Sequence, residues 1–214
     1  MRKRSLKRIS VINNIKIHII NNLKLYVIVS IFFLIGILIG SFFIKNIQTD
    51  IQAQIDTYIK DFIEILKQNH QIDHTNLLKD TIINHIIFTI LIWVMGCSVI
   101  GIPIVYGLVI WKGFSLSYTI SSIISALGLG KGIIFCFSNL FLQNLIVIPG
   151  TLALAVSGVK LYNSIIKDKR KENIKLEIVR HTIFSTFILI LLIASSFVET
   201  YISTNLTQIY INTI

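Results

Sequence analysis

Among the polar side chains inside the long apolar stretches of the C-terminal half of the chain, Gln143, Asn144 and Glu199 are the candidates for a functional role. Polar groups in hydrocarbon face the interior of a helix bundle and bond to neighbouring helices. Gln143 and Asn144 are therefore expected either to join helices or to form part of a substrate site. Glu199 is ionisable, which makes it a candidate functional residue unless it is solvated at the membrane surface.

A pair of histidines, His70 and His74, has the spacing that places two imidazoles on one face of a helix. A zincin motif requires glutamate directly after the first histidine, and Gln71 occupies that position. Zinc hydrolysis is therefore not supported. We expect a surface pair, with a structural metal site as the alternative.

No set of residues in the sequence supplies a nucleophile together with its base. In the stretch 128–132, Gly-Lys is followed by glycine, whereas a phosphate-binding loop requires serine or threonine, so the stretch predicts a turn. Cys97 and Cys136 lie in apolar stretches, fit no redox or metal motif, and are expected to pack against apolar neighbours. The sequence thus predicts no enzyme, no cofactor and no metal site.

The composition is that of a polytopic membrane protein. The chain has 214 residues, of which 54% are hydrophobic and 14% charged, with a mean hydropathy of +0.77. The net charge of +10 does not indicate nucleic acid, because the basic residues cluster in two segments beside apolar runs. The expected partner of those segments is membrane lipid.

These patterns predict an all-α bundle of five transmembrane helices. The predicted segments are, in order, a basic N-terminal segment 1–24, a first span 25–44, an extracytoplasmic amphipathic loop 45–81, spans at 82–111, 113–129 and 132–159, a basic loop 160–180, a fifth span 181–202 and a tail 203–214. Lys112 is expected to mark the turn between the second and third spans. Pro103 is expected to kink the second span.

The distribution of basic residues predicts the orientation. Segments 1–24 and 160–180 should both be cytoplasmic, and the four spans between them satisfy this requirement. The N-terminus is then inside and the C-terminus outside. Segment 1–24 either lies on the anionic leaflet or acts only as a topology signal.

The loop 45–81 contains an apolar helix face that includes Ile55 and Phe62. The loop is slightly acidic, so lipid headgroups are poor partners for it. Its apolar face should pack on the bundle or on another protein.

Several short motifs occur together in a characteristic order. The first motif is the run Trp111, Lys112, Gly113, Phe114 and Ser115, which comes after a span interrupted by glycine and proline. The second is Gln143 and Asn144 shortly before Pro149. Ser157, Gly158 and finally Glu199 come after that proline. In this order and spacing, and over nearly the whole chain, the sequence resembles the stage II sporulation protein M family. The broader family often has His-Gly and then glutamate before the matching proline. Here Gln143, Asn144 and Val147 take those places, so no chemistry of that histidine and glutamate is carried over.

The resemblance implies a role in endospore formation. Family members act in the mother-cell membrane, at the septum and the engulfing membrane, where they are needed for thinning of septal peptidoglycan and for membrane migration around the forespore. The implied partners are stage II sporulation proteins D and P, which cleave peptidoglycan, and this chain would be their non-enzymatic anchor. Association with a second copy of the chain is left open.

Two functions therefore remain: a membrane scaffold, or a small transporter or channel with its site around Gln143, Asn144 and Glu199. The residues expected to bind a partner or to face the bundle interior are Ile55, Phe62, Gln143, Asn144, Pro149 and Glu199.

Overall fold

The computed structural model describes residues 19–67, 73–98, 100–167 and 174–212, and this part of the chain is mostly helical and contains no strand. The helices are α1 (Leu23–Lys45), α2 (Thr49–Lys67), α3 (His74–Gly96), α4 (Gly101–Leu127), α5 (Leu129–Cys136), α6 (Leu142–Lys167), α7 (Ile174–Phe197) and α8 (Thr204–Asn212). The described part of the chain also contains two π-helical segments. Phe137–Phe141 (π1) joins α5 to α6, and Val198–Ser203 (π2) joins α7 to α8.

Five continuous helical stretches are long and apolar enough to cross a membrane, which confirms the predicted all-α class with five spans. They are Leu23–Lys45, His74–Gly96, Gly101–Leu127, Leu129–Ile166 and Ile174–Thr207. Large apolar side chains such as Leu38 and Phe42 remain exposed on their outer faces. Such a surface suits contact with lipid, and the helices satisfy their own backbone hydrogen bonds.

The predicted boundary between the second and third spans is wrong. Instead of spans at 82–111 and 113–129, the structure has α3, which ends at Gly96, and α4, which begins at Gly101. The Asp73 carboxylate accepts hydrogen bonds from the backbone N–H groups of Thr75 and Asn76, so the second span already begins at His74. Lys112 consequently lies in the middle of α4 and not at a turn.

The expected kink at Pro103 is also wrong. Pro103 is in the first turn of α4, where backbone N–H groups have no partner within the helix. A proline there removes no hydrogen bond, and its fixed φ favours the start of the helix.

Other boundaries shift outward from their predicted positions. The fourth and fifth spans, predicted at 132–159 and 181–202, extend over Leu129–Ile166 and Ile174–Thr207. They therefore take residues from both ends of the predicted loop 160–180 and from the predicted tail 203–214. Most of segment 1–24, the middle of the basic loop and His70 lie outside the described residues.

The turn between the third and fourth spans falls at Gly128, in the glycine-rich stretch that predicts it. Gly128 has φ 80°, a conformation that side chains other than glycine rarely adopt. α4 and α5 therefore run in opposite directions, and Gly132 packs against the backbone of Ile124.

Helices α1 and α4 run side by side in the same direction and approach very closely. A methyl group added at Gly36 would collide with the carbonyl group of Ile110, and one at Gly40 would lie 2.6 Å from the carbonyl oxygen of Phe114. The Ser41 and Ser117 hydroxyls are 2.6 Å apart across the same interface. Small residues thus let two helix backbones pack directly.

Helix α2 lies across one end of the bundle. Its Ile59 and Ile63 pack against Ile123, Phe135 and Cys136 of α4 and α5. We call this end of the bundle the α2 end. The opposite end, at which α1 begins and α6 is followed by α7, is called the basic end.

Candidate functional site

Gln143 and Glu199 meet inside the bundle. The Gln143 side-chain amide donates a hydrogen bond of 2.6 Å to the Glu199 carboxylate, and both side chains are partly buried. One residue is in the first turn of α6, and the other belongs to π2. Both are polar residues that the sequence singles out, and the structure brings them together.

The two π-helical segments lie beside each other at this point. Gln143 follows π1 by two residues, and Glu199 is the second residue of π2. A π-helical turn is wider than an α-helical turn and occurs mostly as a single turn at functional sites. Because two such turns lie at the same level of the bundle, we treat this region as a candidate functional site and not only as a helix contact.

Thr81 and Lys112 complete the site from two further helices. The Thr81 side chain hydrogen-bonds to the Glu199 carboxylate, and the Lys112 ammonium interacts electrostatically with it. The Lys112 Nζ atom also lies 5.8 Å from the centre of the Phe88 ring, within the range of a cation–π interaction. A carboxylate, an ammonium, an amide and a hydroxyl thus converge from π2, α4, α6 and α3.

Sequence reasoning misses Lys112 and Thr81 as site residues. The pattern that could identify Lys112 is a single lysine within a long apolar helix, because a charge in that position needs a partner. The prediction that Lys112 marks a turn does not take this need for a partner into account. Thr81 has no such pattern, since threonine is common in helices that face lipid or other helices.

His85 lies one helical turn beyond Thr81 on α3 and is only 4% exposed. It also experiences the charge of Lys112. Further along α3 toward the basic end, Ile92 packs with Leu154, Ile188 and Leu192 in a buried apolar cluster. The charged groups are therefore shielded from solvent on this side, and electrostatic interactions between them are stronger than in water.

Asn144 and Pro149 do not join this site. The Asn144 amide donates to the backbone carbonyl of Leu140 on its own helix, at 2.8 Å. Both residues line an apolar groove of about 560 Å³ between α4 and the π1–α6 region. The expected substrate site around Gln143, Asn144 and Glu199 therefore contains only two of its three residues.

Ile55 and Phe62 line a different groove, between α2 and the bundle. Its volume is about 650 Å³, and its opposite wall includes Tyr118, Phe135 and Asn139. Phe62 remains 44% exposed. The apolar face of α2 therefore packs on the bundle through some residues and leaves others accessible.

His74 contacts the end of the fifth span. Its Nδ1 donates to the backbone carbonyl of Thr200 at 3.1 Å, and its ring stacks on Tyr201. His70, the other half of the predicted pair, lies outside the described residues. Within the described ranges, no group of three or more His, Cys, Asp or Glu side chains could hold a metal ion.

A family model for stage II sporulation protein M matches residues 29–204, which include all five spans in whole or in part and the polar site. No curated protein and no solved structure matches the chain. Because the matched region covers most of the sequence, the chain belongs to the stage II sporulation protein M family.

Proposed function

We propose that this chain is a non-enzymatic scaffold in the mother-cell membrane during endospore formation. It would hold the peptidoglycan-cleaving proteins stage II sporulation D and P at the septum and the engulfing membrane, so that septal peptidoglycan is thinned and the membrane migrates. Membership of the stage II sporulation protein M family and five membrane-spanning helices support a membrane role in sporulation. The basic end would face the cytoplasm and the α2 end would face the wall.

The observation that carries the scaffold proposal is the groove between α2 and the bundle. Ile55 and Phe62 line it, and Ile51, Tyr58 and Phe62 are all more than 40% exposed. Apolar side chains accessible beside a groove are typical of a surface that binds another protein. In the proposed orientation this groove is on the side where cell-wall hydrolases work.

The proposal predicts that Ile55→Asp together with Phe62→Asp abolishes co-purification of the two hydrolases. A buried charge in the groove would cost several kcal/mol on binding, on the order of 3 kcal/mol per residue or more. The matched control is Thr57→Asp, on the exposed opposite face of α2, which should leave recovery unchanged. Unchanged recovery with the double variant inserted normally would exclude the groove as the binding surface.

The role in engulfment has its own test. Sporulating cells that lack this gene should form septa that stay flat or bulge, without membrane migration, when imaged with a membrane dye. Normal engulfment in such cells would contradict the scaffold function.

A small transporter or channel is the second candidate, favoured by the contact between Gln143 and Glu199 inside the bundle. Solute uptake by purified protein in vesicles, lost in Glu199→Gln, would support it.

A further inference from the structure

A series of polar side chains crosses the bundle between α3 and α7. The apolar residues Ile92, Ile188 and Leu192 pack beside it. The polar series, which we call the polar row, consists of the buried His181, Ser185, Thr89 and His85 and the partly buried Thr81 and Glu199.

Four members of the polar row have a buried atom without a hydrogen-bond partner among the described residues. These atoms are Nε2 of His85, Oγ1 of Thr89, Nε2 of His181 and Oγ of Ser185. Leaving a buried polar atom unpaired costs roughly 1–3 kcal/mol. Buried polar atoms in native proteins are nearly always satisfied by protein or by water. Four neighbouring exceptions along one interface therefore indicate internal water.

The spacing of the row suits a chain of water molecules. Thr81, His85 and Thr89 are each four residues apart on α3, as are His181 and Ser185 on α7, which corresponds to about 6 Å per step. One water molecule with two hydrogen bonds of about 2.8 Å bridges such a step.

The two helices bring their parts of the row to the same level. They run in opposite directions, and the Trp93 indole donates to the Thr182 hydroxyl at 3.0 Å. Toward the α2 end, Thr89 lies four residues beyond Trp93 on α3 and Ser185 lies three residues beyond Thr182 on α7, so the two side chains are at nearly the same level. The row therefore passes from α7 to α3 at this point.

Polar groups are present at both ends of the row. At the basic end, His181 is hydrogen-bonded to the Ser157 hydroxyl at 2.8 Å and borders a cavity of about 170 Å³ lined by Lys160, Glu177 and Arg180. At the α2 end, beyond Glu199, the hydroxyls of Thr200 and Ser203 are also buried without a partner among the described residues, and His74 contacts Thr200.

We propose that the polar row conducts protons across the membrane, from the cavity at the basic end to His74 at the α2 end. Chains of histidine and acidic side chains are what proton pathways through membranes use. This inference is independent of the scaffold function and shares only Glu199 with the transporter alternative.

Each step moves one proton and leaves the site as it was. A neutral imidazole accepts the excess proton of a protonated water molecule at its unprotonated nitrogen, so that one N–H bond forms as one O–H bond breaks and neutral water remains behind. It then releases the proton on its other nitrogen to the next water molecule, and tautomer exchange restores the ring. Hydroxyls and the Glu199 carboxylate pass the proton by the same exchange.

The charges facing the row give it selectivity. Lys112 faces His85 and Glu199, while Lys160, Glu177 and Arg180 face His181. A fixed positive charge near the middle of the path repels Na⁺ and K⁺, which cannot be handed from group to group as a proton can.

The test uses the full chain purified into lipid vesicles that contain a pH-sensitive dye, with a valinomycin-imposed K⁺ potential as the driving force. We expect protein-dependent proton uptake, reduced about tenfold in Thr89→Val and in Glu199→Gln, which corresponds to ~1.4 kcal/mol of barrier. Thr186→Val is the matched control, because this exposed threonine on α7 bonds only to its own helix backbone. It should conduct as the unchanged protein does.

Accessibility gives a readout that does not depend on flux. In a chain with Cys97→Ser and Cys136→Ala, Ser185→Cys should react with hydroxyl radicals generated radiolytically, because these radicals form from water itself and are no larger than a water molecule, so a hydrated row admits them. Absence of reaction would overturn the proposal, as would uptake no faster than in protein-free vesicles, or equal uptake in Thr89→Val and Thr186→Val. Separate measurement of solute uptake distinguishes the failure of this proposal from that of the transporter alternative.

Discussion

Glu199 and Lys112 are two opposite charges in the interior of a helix bundle, where neither is surrounded by solvent. Taking such groups out of water is expensive, so each depends on the other and on the neutral donors around it. For Glu199 those donors are the Gln143 amide and the Thr81 hydroxyl. These contacts are therefore expected to stabilise the protein, whatever function the site has.

At the residue scale, we predict that Lys112→Met and Glu199→Gln each lower the thermal stability of the detergent-solubilised protein. Each removes one of two opposite charges that interact inside the bundle, at a cost of about 1–2 kcal/mol, or roughly 2–8 °C in Tm. The double variant should recover at least half of the loss, because no unpaired charge remains. Additive losses in the double variant would show that the two charges are not coupled.

The sequence identifies Gln143 and Glu199 because a polar residue in an apolar stretch is conspicuous by itself. It also suggests Asn144, which bonds to its own helix backbone, and it passes over Lys112 and Thr81. Which polar residues meet depends on the rotation of each helix about its axis. The two π-helical segments change that rotation, and a pattern of hydrophobicity does not reveal them.

Among the elements, α1 and α4 make the closest contact in the bundle. Gly36, Gly40 and Gly113 each face the backbone of the other helix. The spacing of Gly36 and Gly40 is the Gly-x-x-x-Gly pattern of close helix pairs, so the sequence contains a signal for this contact.

We predict that Gly36→Ala destabilises the protein by about 2 kcal/mol, because the added methyl group forces the two helices apart. Gly107→Ala on α4 is the control. A methyl group there meets nothing within 4 Å, and alanine favours a helix over glycine by up to ~1 kcal/mol. Thermal unfolding followed by size-exclusion chromatography measures both. Equal effects of the two substitutions would contradict the packing argument.

The number of spans is well predicted by the sequence, whereas the boundary between the second and third is not. Length and hydropathy determine how many helices can cross a membrane. The boundary depends on local hydrogen bonds, such as the Asp73 cap that starts α3 early, and on whether Pro103 begins a helix or interrupts one. A proline has the same appearance in the sequence in either case.

For the whole molecule, the proposed orientation places the turn between α3 and α4 in the cytoplasm. Cys97 is in that turn and is partly exposed, whereas Cys136 is buried. Burial raises the pKa of the Cys97 thiol. At neutral pH less thiolate is present than for a free cysteine, so labelling is slow and accelerates as pH rises.

We therefore predict that, in intact cells, Cys97 is labelled by a membrane-permeant maleimide and not by an impermeant one. Thr57→Cys, exposed on α2, should react with both reagents. The labelling rate of Cys97 in lysed cells should increase with pH through the alkaline range. Labelling of Cys97 by the impermeant reagent in intact cells would reverse the proposed orientation.

The neighbouring segments π1 and π2 also constrain which insertions and deletions this chain can accept during evolution. A π-helical turn holds one residue more than an α-helical turn, so it is what the insertion of a single codon into a helix would leave behind. Deleting one residue from π1 would restore regular helix and turn α6 by about 100° relative to α5. Gln143 would then lose Glu199 although neither residue had been substituted. The polar site therefore depends on the number of residues in π1 and π2 as much as on the identity of its side chains.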